Sequence, residues 1–141
     1  ELIASFEAAV KAYPADLTHY SELNGYLRDR LSKMEDVYIN SPDNSVYNIL
    51  SFSVLGVRSE IMLHSLEEKE IYVSSGSACS KGKISSVPDA FGMNSERADS
   101  TIRVSFSMET TKEDIDALCD EIENGIARFR RTKKSRRKGN I

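Results

Sequence analysis

Two cysteines, at positions 79 and 119, are all the sequence contains. They are too few for a disulfide framework and wrongly spaced for a zinc motif, so a reducing, cytoplasmic setting is expected. Long hydrophobic runs are missing too. The longest mainly apolar stretch, Ile49 to Val57, is interrupted by two serines and is about half the roughly 18 residues a membrane span needs, so no membrane partner is expected. The opening ELIASFEAAV begins with an acid and lacks the basic segment of a secretory signal. It also lacks an initiator Met, which suggests a piece of something longer. No GxGxxG, Walker loop or HExxH occurs. His19 and His64 have no companion at ligand spacing, so both are taken as structural and no metal is expected.

What the sequence does have is length and composition suited to one globular domain. Its 141 residues are 40% apolar and 29% charged, enough to remove roughly 70% of the extended-chain surface from water. The formal charge of −3 conceals a split. Residues 128–138 hold eight of the 19 basic side chains and no acid, leaving 11 basic against 22 acidic elsewhere, a balance of −11. A block of like charges without apolar anchors is expected to be disordered, so the organisation predicted is a body over residues 1–130 and a basic tail over 131–141. The tail is either a solvated extension or a handle for an acidic partner. No aromatic follows Phe129 to stack on a base, and nucleic acid is not expected as a partner.

Periodicity along the body predicts alternating helices and short strands. Ile3, Phe6, Val10 and Tyr13 recur at helical spacing up to Pro14; Leu17, Tyr20, Leu23, Leu27 and Leu31 form a second stripe with Asp16 as N-cap. Val37-Tyr38-Ile39 reads as a strand. So does the stretch from Ile49, with Leu50, Phe52 and Val54 on one face, Ile49, Ser51 and Ser53 on the other, and Gly56 closing it. A helix capped by Ser59 and running to about Lys69 turns Ile61, Met62, Leu66 and Ser65 inward, and Ile71-Tyr72-Val73 is a brief strand. The run SSGSACSKGKIS from Ser74 is too small and polar for a core element and predicts a loop, with a short helix at 87–91 beyond it. TIRVSF over 101–106 alternates as a half-buried strand. Thr110 and Glu113 suggest a capping box for a last helix with the stripe Ile115, Leu118, Cys119, Ile122 and Ile126. The fold expected is α+β, a small sheet of short strands covered by helices.

Two residues stand out chemically. Cys79 lies in a glycine-flanked polar loop, followed by Lys81 and Lys83, whose charges favour a thiolate; it is either reactive or an incidental surface thiol. Cys119, on an apolar stripe, reads as a small core side chain. Arg103 shares a strand face with Thr101 and Ser105, where its planar fork either meets solvent or lines a cleft and grips a carboxylate.

The run IYVSSGSACSKGK, the helix RSEIMLHSLEEKE before it and ERADSTIRVSFSMETTKEDID after it resemble the C-terminal small domain of cysteine desulfurases, in the class V aminotransferase group of pyridoxal-phosphate enzymes. The resemblance covers most of residues 1–130 and implies the small domain of a fold-type I transferase. It implies that Cys79 is the catalytic nucleophile that takes sulfur from L-cysteine as a persulfide, releasing L-alanine, and that Arg103 binds the substrate α-carboxylate. A full-length homodimer passing sulfur to an acceptor protein is expected. The family's cofactor lysine follows a histidine, a pair absent from this sequence. The cofactor is therefore expected to be held outside this stretch, and the stretch alone is expected to be inactive. Lys81-Gly82-Lys83 departs from the small polar residues that many relatives carry there. Selenocysteine lyase, another class V activity, or a free-standing sulfur-carrier or interaction module are the alternatives.

Overall fold

A computed structural model describes residues 2–75 and 93–138, those from 130 onward as backbone. In chain order the elements are α1 (Leu2–Ala12), α2 (Thr18–Ser32), β1 (Val37–Ile39), β2 (Ile49–Val54), α3 (Ser59–Glu67), β3 (Ser74–Ser75), α4 (Ser95–Asp99), β4 (Thr101–Ser105) and α5 (Lys112–Lys138). The strands form one antiparallel sheet in the order β1-β2-β4-β3. The architecture is α+β, as the pattern of short strands and intervening helices predicts.

Alternation decides which face of the sheet is covered. Pairing sets Leu50 opposite Val104 and Phe52 opposite Ile102, and these four buried side chains share a core with Leu27 and Leu31 of α2, Met62 and Leu66 of α3, and Ile115, Leu118, Cys119 and Ile122 of α5. Burying each large aliphatic or aromatic side chain stabilises the fold by about 1.5–3 kcal/mol. The same period of two sends Ser51, Ser53, Thr101 and Arg103 to the opposite face. After β2 the chain reverses at Gly56, whose φ of +83° lies where a Cβ is strained.

Several local expectations shift. α1 forms, but its apolar stripe is exposed: Ile3, Phe6 and Val10 are 85%, 71% and 58% accessible. Helix α2 starts at Thr18, with Leu17 exposed at the cap position; Asp16 Oδ1 accepts from the Thr18 amide (2.9 Å) and hydroxyl (2.6 Å). In α3, Ser59 is a buried first-turn residue rather than the cap, and Ile61 is exposed while Leu63 packs on the core. The helix stops at Glu67. Glu70 has φ of +60°, and the amides of Glu70 and Ile71 donate to the carbonyls of Glu67 and Leu66, both at 3.0 Å, a Schellman-type ending. Ile71-Tyr72-Val73 is irregular, and pairing with β4 begins only at Ser74. The five-residue α4 is too short for any periodicity to announce it; Asn94 Oδ1 caps it by accepting from the Arg97 amide at 2.8 Å.

The capping box of α5 sits one residue later than expected. Thr111 and Asp114 exchange backbone-to-side-chain bonds (2.9 and 3.2 Å), while Thr110 Oγ1 instead accepts from the Ser107 amide at 2.9 Å. At its other end α5 continues to Lys138, so the basic run through that residue lies on helical backbone. Lys and Arg are strong helix formers, and cations favour the negative C-terminal end of the helix dipole. The helix expected at 87–91 lies outside the described residues. Among the described residues no helix is long and apolar enough to cross a membrane.

Candidate functional site

β4 runs between β2 and β3, and this fixes Arg103. Its Cα is registered opposite Ser51 on one side and Ser74 on the other. The side chain leaves the uncovered face of the sheet and is exposed. Among the described residues it has no side-chain hydrogen bond or ion pair, and none of them occupies its five donors. Its neighbours are small hydroxyls, not carboxylates: Ser74 Oγ lies 3.4 Å from the Arg103 carbonyl. A guanidinium held on a central strand, with no anion committed to it among the described residues, suits a planar carboxylate brought from outside.

The rest of that face is ordered by a polar network the sequence reading did not identify. Arg97 of α4 donates through Nε to Asn40 Oδ1 (2.8 Å) and through Nη2 to the Ile39 carbonyl (2.9 Å), with its guanidinium 5.7 Å from the Tyr38 ring centroid. Asn40 Nδ2 donates to Ser53 Oγ at 2.9 Å. The Ser53 and Thr101 hydroxyls donate to the Arg97 carbonyl at 2.8 and 2.9 Å. Ser53 and Thr101 are therefore buried on a polar face, and the hydroxyls are satisfied, as burial requires. The network clamps α4 to the sheet immediately before β4. The serines alternating with Leu50, Phe52 and Val54, together with Thr101, were the available signal; Arg97 gave none.

Cys79, Lys81 and Lys83 lie outside the described residues. Cys119 is fully buried beneath α2, and burial pushes its thiol up to about 11, with the Arg30 guanidinium acting in the opposite direction. Around it, Tyr26 donates to Asp116 Oδ1 at 2.7 Å, and Arg30 bonds to Asp116 and, at 3.1 Å, to Asp120. The hydrogen bond to Asp116 raises the Tyr26 phenol above its ordinary value. These groups fasten α2 to α5 on the apolar side of the sheet, away from Arg103. His64 lies 3.4 Å from Glu67 on α3, and His19 meets Tyr20 edge-on in α2; both helices pack on that apolar side. A cleft of about 250 Å³ opens between residues 70–73 and the start of α5, lined by Ile71, Val73, Phe106, Thr110, Asp114 and Leu118. Its walls mix apolar with polar surface, and Arg103 is not among them.

The described side chains of the polar face, Tyr38, Asn40, Ser51, Ser53, Arg97, Thr101 and Arg103, include no lysine amine. They fit the capture of a carboxylate, and they do not fit the holding of an aldehyde cofactor through an imine.

Residues 5–118 match the family model described as aminotransferase class-V. The chain is similar to the cysteine desulfurase IscS of Pseudoalteromonas translucida, at 39% identity over 130 residues, covering 89% of this chain and 32% of that protein. Its counterpart in Vibrio vulnificus is 38% identical over 129 residues, covering 89% and 31%. The X-ray structure of a NifS-like protein from Rickettsia africae matches with a TM-score of 0.65 at 27% identity, over 75% of this chain and 28% of that one. The chain thus spans about a third of the length of the curated relatives it matches.

Proposed function

The chain belongs to the aminotransferase class-V family, and from that premise we propose that the protein carrying it is a pyridoxal-phosphate-dependent cysteine desulfurase. In this reading the stretch over residues 1–130 acts as its C-terminal small domain. Arg103 binds the α-carboxylate of L-cysteine through a bidentate pair. Cys79 as thiolate attacks the substrate sulfur; the carbon–sulfur bond breaks, alanine leaves, and the sulfur stays on Cys79 as a persulfide for an acceptor protein. The pyridoxal phosphate belongs to the part of such a protein that this chain does not span, so the chain alone does not desulfurate cysteine.

The observation that carries this reading is the placement of Arg103. The cation is uncommitted among the described residues, and Ser74 of β3 is registered opposite it. Cys79 follows Ser75 by four residues, a tether of about 14 Å at full extension. In this reading the thiol works within that reach of Ser75, and the segment that carries it serves first a substrate and then an acceptor.

In the full-length protein, Cys79→Ala should abolish persulfide formation and leave the cofactor absorbance intact. Undiminished sulfide release from cysteine would overturn the assignment. Arg103→Lys loses the planar fork and should raise KM for cysteine about tenfold or more, the loss of roughly 1.5–3 kcal/mol for a charge-assisted bond. Unaltered kinetics would remove Arg103 from the site.

A further inference from the structure

We propose that the C-terminal end of α5 is a docking post for an acidic surface patch on a partner protein. Seven cations follow Phe129 without an intervening acid: Arg130, Arg131, Lys133, Lys134, Arg136, Arg137 and Lys138. All seven positions lie on the helical backbone of α5, which runs unbroken to Lys138. Phe129 is the last described side chain of α5 and packs against the core, and the cationic positions follow it along the axis. Arg128, one residue earlier, still faces the body, 3.8 Å from Glu68. From Phe129 to Lys138 the axis advances about 14 Å at 1.5 Å per residue.

That length matters because the remainder of the chain repels anions. Outside residues 128–138 there are 11 basic and 22 acidic side chains, and the last acid in α5 is Glu123, about 22 Å along the axis from Lys138. At physiological ionic strength charges are screened over about 8 Å. The far half of the post therefore stands more than one screening length from the acids of its own helix, and its field is not cancelled by them. At 100° per residue the seven positions cover more than half of the helix circumference, so the post presents charge to a concave or grooved acidic patch and not to a flat one.

A protein partner fits better than a nucleic acid. No aromatic follows Phe129 to stack on a base. A long polyanion lying across the molecule would also meet the −11 body, whereas a patch contacting only the post would not. The inference is independent of the desulfurase reading, since it concerns charge and helix alone.

The test measures binding of a fluorescein-labelled peptide of 20 glutamates to the full chain by anisotropy, in 50 and 200 mM NaCl. The variant Arg130→Gln, Arg131→Gln, Lys133→Gln, Lys134→Gln keeps helix-forming side chains and removes four charges; Thr132→Pro keeps every charge and breaks the helix. Expected are tenfold or greater weakening with the added salt, tenfold or greater weakening in the glutamine variant, and threefold or greater weakening in the proline variant. Unchanged circular dichroism below 230 nm, apart from the last turns, ensures that the body is intact. No measurable binding at 50 mM NaCl, or equal affinity in the glutamine variant, overturns the docking post. Equal affinity in the proline variant overturns its helical form. Tighter binding of a 20-mer of thymidylate than of the glutamate peptide overturns the choice of a protein partner.

Discussion

Gly125 sits in the middle of α5 facing α3, and replacing it with alanine sets two effects of similar size against each other. In an exposed helix interior the change would stabilise by about 1 kcal/mol, because glycine has the greater backbone entropy to lose. Here a Cβ at position 125 would lie 2.8 Å from Met62 Sδ and 3.0 Å from Met62 Cε, with Phe129 at 3.6 Å. Met62 is fully buried, so its thioether end can yield only by displacing other core side chains. Overpacking of this kind costs about 1–3 kcal/mol, and the low end applies because the atom met is the end of a flexible chain. Gly125→Ala should therefore be neutral to about 1 kcal/mol destabilising.

The cause is separable by a double-mutant cycle. Met62→Ala alone should cost about 2–5 kcal/mol, as a buried methionine leaves a cavity. Within that background the new methyl has room, so Gly125→Ala should stabilise by about 1 kcal/mol, giving a coupling of about 1–2 kcal/mol. Urea unfolding followed by circular dichroism measures all four corners. A coupling below about 0.5 kcal/mol would mean that Met62 does not obstruct position 125, and the packing described between α3 and α5 would be wrong.

Three further outcomes are expected. Thr111→Ala should lower stability by about 1 kcal/mol by removing the acceptor for the Asp114 amide, whereas Glu113→Ala should stay within about 0.5 kcal/mol; equal losses would return the cap to the earlier register. Glu70→Gly should raise the melting temperature, because a left-handed residue with a side chain costs about 1–2 kcal/mol at the end of α3; a fall in melting temperature would show the side chain to be needed. The Cys119 thiol is held above its ordinary value of 9.0, to about 11, by burial. Between those values the unfolded chain has lost this proton and the folded chain retains it, so stability falls as pH rises through the window. Cys119→Ala should flatten that slope in urea titrations from pH 8 to 11, and an unchanged slope would place the effect elsewhere.

The parts legible in the sequence are those where one local pattern decides the outcome. Leu50, Phe52 and Val54 against Ser51 and Ser53 assign both faces of β2, and Ile102 and Val104 against Thr101 and Arg103 do the same for β4. Spacing reveals the stripe of α5 because 3.6-residue periodicity repeats over many turns. Ile71-Tyr72-Val73 is as β-prone as any stretch, yet a strand also needs a partner, and the turn at Glu70 brings the chain beside β4 only at Ser74. Candidate caps at adjacent threonines differ by one residue, a distinction set by the geometry of the preceding turn. The face carrying Arg103 was legible from alternation. The Arg97 clamp joins residues 57 and 58 positions apart, to Asn40 and to the Ile39 carbonyl, and no local pattern encodes such a pairing. Periodicity likewise shows that α1 has an apolar side without showing what that side meets.

The ladder between β2 and β4 decides how firmly the guanidinium is held. Five registered pairs join the two strands, and Arg103, opposite Ser51, occupies the middle one with two pairs on either side. Thermal fraying begins at the ends of a ladder, where the fewest bonds must open together, so the backbone beneath the cation is the last part of that ladder to be released. The cation is thereby a stationary landmark on its face of the sheet.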